Sequence, residues 1–156
     1  NLYCESNVCS AIEHDYKYIF SNIDYPGKPK FKLNVIDDTP FKIEDVSIYP
    51  IRVNHGSLPI LGYRIGTLAY ITDASFICEK EKNKLLNLDI LIINSLQRKK
   101  HVSHFNLEES LNLINELKPK KSYLTHISHE MGLHKEVSKE LLENIFLAYD
   151  GLEVHI

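Results

Sequence analysis

The sequence has no tryptophan, a single methionine and only three cysteines in 156 residues. An odd count, with no C-x-x-C spacing among Cys4, Cys9 and Cys78, argues against both a disulfide framework and a thiolate zinc knuckle. That usage fits a reducing compartment, so a cytoplasmic location is the expectation. No apolar run approaches the roughly 18 residues that cross a bilayer, and no charged-then-apolar leader pattern opens the sequence. Excess charge is lacking too: 18 Lys+Arg against 21 Asp+Glu leave −3, which offers no extended basic face to nucleic acid. Six glycines and six prolines exclude collagen-like and low-complexity chains. No G-x-G-x-x-G, G-x-x-x-x-G-K-[ST] or G-x-S-x-G run occurs, so phosphate-loop and serine-elbow chemistry fall away.

What remains is globular in composition, 44% hydrophobic and 25% charged. A chain of this length buries roughly 68–70% of its unfolded surface, enough for one core, and residues 1–156 are read as a single domain. Apolar spacing predicts a short helix over Val8 to Phe20 and strands over Phe31 to Ile36 and Val46 to Val53. Pro50 inside the second strand points to an edge or a bulge. The run Thr67 to Thr72 reads as a covered strand. A regular alternation follows: helix Phe76 to Asn87, strand Asp89 to Asn94, helix Leu107 to Leu117, strand Ser122 to Thr125, helix Lys135 to Phe146. The middle helix has Asn106 as its cap, Glu109 three residues on, and Leu107, Leu111, Ile114 and Leu117 on one face. A closing hairpin is predicted around Asp150-Gly151, its second arm reaching Ile156. Alternating strands and helices make this an α/β layered fold.

Polar residues fall where the strands end. One strand runs into Asn54-His55-Gly56, the next into Asp73, another into Asn94-Ser95 and a fourth into His126. If these strands are neighbours pointing the same way, two imidazoles and a carboxylate meet on one rim, a ligand set for zinc, manganese or iron. Each residue also has a plainer reading. His55 could be a turn residue before Gly56, and Asp73 could cap a following helix. His126, His129 and His134 could form a solvated loop, and His101 and His104 could belong to the positive face begun by Arg98-Lys99-Lys100. The carboxylate pairs Asp37-Asp38 and Glu108-Glu109 are assigned to capping and solvation.

Taken in order, the segments Val53-Asn54-His55-Gly56, Leu61-Gly62-Tyr63-Arg64, Leu68-Ala69-Tyr70-Ile71-Thr72-Asp73-Ala74-Ser75, His101-Val102-Ser103-His104-Phe105-Asn106, Leu124-Thr125-His126-Ile127-Ser128-His129 and Ala148-Tyr149-Asp150-Gly151 resemble the C-terminal half of metallo-β-lactamase-fold hydrolases. The resemblance is nearest to the phosphoribosyl cyclic phosphodiesterase branch, with the tRNA 3′-processing endonucleases as cousins. It implies a four-layer αβ/βα sandwich, a site for two divalent metal ions (zinc or manganese) and hydrolysis of a small phosphodiester substrate. It makes His55 a ligand of one metal, Asp73 the carboxylate bridging both and His126 a ligand of the other. His104 matches the histidine that protonates the leaving oxygen.

The family's remaining ligands come from an H-x-H-x-D-H motif, and no H-x-H occurs in this sequence. The resemblance therefore implies a partial site, with the family's first sheet half absent from this chain. Two expectations follow: weak or no activity alone, and self-association through an uncovered sheet face. A catalytically incompetent binding or assembly module on the same scaffold is the alternative.

Overall fold

The computed structural model describes residues 1–155. The elements run β1 (Leu2–Cys4), α1 (Ser6–Asp15), α2 (Lys17–Phe20), β2 (Leu33–Val35), β3 (Phe41–Ile43), β4 (Val46–His55), β5 (Leu58–Ile65), β6 (Leu68–Ile71), α3 (Glu79–Lys82), β7 (Ile90–Asn94), α4 (Leu107–Leu117), β8 (Lys121–Thr125), α5 (His134–Glu140) and β9 (Ile145–Leu147). Strands β1 and β2 pair in parallel, and β3 to β9 form one sheet in sequence order. Strand β5 is antiparallel to both β4 and β6, while β6 to β9 are mutually parallel. Strands β4, β6, β7, β8 and β9 therefore all point one way, and their carboxyl ends share a rim.

Register sorts the side chains. Ile71, Ile93, Leu124 and Leu147 stand in one row across four strands, buried against Leu107, Leu113, Ile114 and Leu117 of α4. Burial of each such side chain is worth about 1.5–3 kcal/mol, so this layer anchors the rim. The alternate row on the opposite face is Tyr70, Ile92, Tyr123 and Phe146. Tyr123 and Phe146 stack at 5.4 Å, while Tyr70 and Phe146 stay 43% and 39% exposed, so this aromatic face is only partly covered.

Pro50 sits in the second strand of the sheet, yet its edge logic holds locally. Strand β3 ends its pairing at Ile48, and beyond it the amides of Arg52 and Asn54 point away from β5, to Glu81 Oε2 at 2.8 Å and to the Phe76 carbonyl at 3.0 Å. Pro50 shares that outward side, where its missing N–H breaks no ladder bond.

Helix α4 has both halves of its capping box: Glu109 N–H donates to Asn106 Oδ1 (2.8 Å) and Asn106 N–H to Glu109 Oε2 (3.0 Å). Of the other three predicted helices, Val8 to Phe20 is interrupted at Tyr16 and forms α1 and α2, and the remaining two are shorter than expected. Phe76 bridges Asn54 in an extended conformation, so only Glu79–Lys82 is α-helical, followed by a 3₁₀ turn at Asn83–Leu85. Helix α5 stops at Glu140 because Leu141 is extended, and Ile145–Leu147 becomes an edge strand with Ile145 and Leu147 buried and Phe146 outward. The closing hairpin is not formed among the described residues: Asp150-Gly151 makes a turn, Leu152 N–H to Tyr149 carbonyl, with no strand after it. Ile156 lies outside the described residues. Strand β5 was not anticipated, because Pro59 and Gly62 break its alternation.

Candidate metal centre

The rim brings three strand-end residues, His55, Asp73 and His126, together with the loop residue His104. Gly56, at φ 60°, leads a two-residue turn to β5 and leaves His55 as the last residue of β4. Asp73 and His126 follow β6 and β8, and both take left-handed backbone, φ 56° and 55°. Such backbone costs a residue with a Cβ about 1–2 kcal/mol and is found where the surroundings impose it. No helix begins after Asp73 before Glu79, so the capping reading of Asp73 does not hold.

Asp73 Oδ1 lies 3.1 Å from His104 Nε2 and 3.2 Å from His126 Nε2. The His104 ring packs edge-on against His55, centroids 4.6 Å apart, and stacks on His126 at 4.8 Å. His55 Nδ1 is 3.0 Å from the carbonyl oxygens of both Asp73 and Ser103. Two acceptors oblige Nδ1 to carry the proton, which leaves the Nε2 lone pair free. That is how metal-binding imidazoles are oriented. Ligand atoms of His55, Asp73 and His104 lie within 4.8 Å of one another, and His126 joins through Asp73. Imidazole nitrogen with carboxylate oxygen suits a divalent ion of the zinc or manganese kind.

His104 is held below the ordinary histidine pKa, first because it is desolvated and then because His126 and His55 disfavour a further positive charge. The hydrogen bond to Asp73 opposes this without cancelling it. His104 Nδ1 reaches Ser103 Oγ at 3.0 Å and His101 Nδ1 at 3.2 Å. His101, read from sequence as part of a positive loop, thus stands directly behind His104, and the H-x-x-H spacing was the available signal. His129 and His134 stay exposed and outside the rim cluster, with His134 opening α5, its Nε2 3.3 Å from the Leu147 carbonyl. The basic run is largely engaged: Arg98 donates to the Met131 carbonyl and to both oxygens of Glu140, and Lys100 lies 3.8 Å from Glu109.

Comparison with known proteins identifies the family and the fold. Residues 1–127 match the family model described as "Beta-lactamase superfamily domain". A crystal structure of a diphosphatase from the PhnP family superposes with TM-score 0.89 at 32% identity, covering 99% of this chain and 58% of that one. Zn(2+)-bound PqqB from Methylobacterium extorquens (TM-score 0.71, 16% identity, 99% and 64% covered) and the short form of human tRNase Z (0.65, 15%, 96% and 65%) share the fold. An octanoyltransferase of Porphyromonas gingivalis is 40% identical over 99% of this chain, which spans 32% of that relative. The chain thus spans about a third of the octanoyltransferase and about 58% of the diphosphatase, in line with the expected partial match. Among the described residues no helix is long and apolar enough to cross a membrane. The family match, the sheet order and the His–Asp rim together place this chain in the β-lactamase superfamily, with the metallo-β-lactamase fold.

Proposed function

We propose that this chain carries part of the site of a metal-dependent hydrolase acting on a phosphodiester or on the phosphoanhydride bond of a diphosphate. The observation that carries the reading is the placement of Asp73 Oδ1 between two imidazole nitrogens, with His55 oriented by two carbonyls beside it. His55, Asp73 and His126 would hold divalent metal, and Asp73 is the residue suited to bridge two ions. A bound divalent cation supplies Lewis-acid charge for a phosphoryl oxygen and acidifies water. Asp73 orients His104 through its Nε2, and the negative charge of a bound phosphate group would favour the imidazolium form of His104, which passes its extra proton to the leaving oxygen and returns to neutral. The diphosphatase relative at 32% identity supports a phosphate substrate. With three such ligands the chain alone is expected to be weakly active.

The test is hydrolysis of bis-p-nitrophenyl phosphate and of a nucleoside diphosphate sugar with added zinc or manganese. Turnover lost in His104→Ala with metal retained supports the acid role; undiminished turnover contradicts it.

A second reading follows from the octanoyltransferase relative, of which this chain matches about a third: a module accompanying an acyl transferase, without phosphate chemistry of its own. It predicts metal binding with no hydrolysis of either substrate. Self-association of two copies through the aromatic row of Tyr70, Tyr123 and Phe146 belongs to the same proposal. Sedimentation velocity tests it, with Phe146→Lys expected to shift the protein toward monomer.

A further inference from the structure

Asn94, at the end of β7, is fully buried and spends its whole side-chain amide on one residue. Its Oδ1 accepts from Ala74 N–H at 2.8 Å, and its Nδ2 donates to the Ala74 carbonyl at 2.9 Å. Ala74 directly follows Asp73. The same Ala74 carbonyl accepts from Phe105 N–H at 2.7 Å, and Phe105 directly follows His104. One backbone unit thus ties the chain bearing Asp73 to the chain bearing His104, and Asn94 grips that unit from below.

The next residue extends the grip. Ser95 N–H donates to the Thr125 carbonyl at 2.9 Å, immediately before His126. The end of β7 therefore holds both left-handed residues of the rim, Asp73 on one side and His126 on the other. Asn94 is itself fixed from behind, its carbonyl accepting from Ser110 Oγ at 2.9 Å within α4. An amide is the side chain suited to this place, because it offers one acceptor and one donor to the two groups of a single peptide residue.

We infer that Asn94 is the positioning residue of the centre: its bidentate hold on Ala74 sets the approach of Asp73 Oδ1 to His104 and His126. Without it, Ala74 N–H loses its partner, the strained backbone at Asp73 relaxes, and the carboxylate leaves the imidazoles. This deepens the metal-site reading and rests on it for the metal arm of its test.

The experiment compares Asn94→Ala with Ser122→Ala, which removes a buried hydroxyl that bonds neither Asn94 nor Ala74. Zinc dissociation constants are measured by chelator competition on both variants and the parent, at a temperature where all three are folded. Asn94→Ala is expected to bind zinc at least tenfold more weakly, and Ser122→Ala within about threefold of the parent. Equal affinities for parent and Asn94→Ala overturn the inference. Should Asn94→Ala not fold, amide hydrogen exchange of the unmodified protein decides. The Ala74 N–H, although in a loop, is expected to exchange as slowly as the amides of β7, and exchange at the rate of an open loop overturns the clamp. A parent protein that binds no zinc defeats the metal reading instead, and the exchange measurement still judges the clamp.

Discussion

Asp73 and His126 leave strands β6 and β8 through the same left-handed turn, at φ 56° and 55°, and meet across the intervening strand with Oδ1 and Nε2 3.2 Å apart. Neither residue type prefers that backbone, so local energy is given up at both positions in the place where a metal would sit.

The strain at His126 separates stability from function. His126→Gly removes the Cβ that makes φ 55° unfavourable, and is expected to be more stable than His126→Ala by about 1 kcal/mol in urea denaturation. Both variants should bind metal more weakly than the parent. Equal stability of the two would mean the left-handed backbone is not held in solution.

Gly62 marks the tightest crossing behind the rim. A Cβ there would stand 2.5 Å from Ile71 Cδ1 and 3.1 Å from the Tyr70 carbonyl, next to the strand that presents Asp73. Gly62→Ala is expected to cost about 1–3 kcal/mol through overpacking, read as a lowered denaturation midpoint. A midpoint within experimental error of the parent would show that Ile71 repacks freely.

Burial keeps His104 below its ordinary pKa of 6.5. In chelator-treated protein the unfolded chain takes up its proton near that pH while the folded chain resists. The unfolded state then binds more protons, and stability falls as the pH drops below about 6.5 until the folded group titrates too. Urea midpoints between pH 7.5 and 5 should fall more steeply for the parent than for His104→Gln. Parallel profiles contradict the desolvated environment of His104.

Much of this site was legible because strand ends carry it. Regular spacing marks β4, β6, β7, β8 and α4, and polar residues close or follow these strands, so His55, Asp73 and His126 stand out in the sequence alone. His104 was named through resemblance, since a loop residue has no periodicity to betray it. Where apolar spacing served two patterns, the wrong one was read: Leu141 and Leu142 continue the helical spacing of α5, yet extended backbone at Leu141 frees Ile145–Leu147 to pair with β8. Strand β5 was hidden by Pro59 and Gly62. The role of Asn94 was beyond reach for a different reason: its partner is the backbone of Ala74, and a peptide group looks the same at every position of a sequence.

The most direct test of the convergent centre counts metal. After dialysis against zinc and brief removal of the excess, the parent chain should retain zinc by elemental analysis, fewer ions than the two of a complete site, and Asp73→Ala should retain almost none while keeping the parent's circular dichroism spectrum. Zinc retained equally by a folded Asp73→Ala protein would contradict the account, because the carboxylate that joins the imidazoles would then be holding nothing.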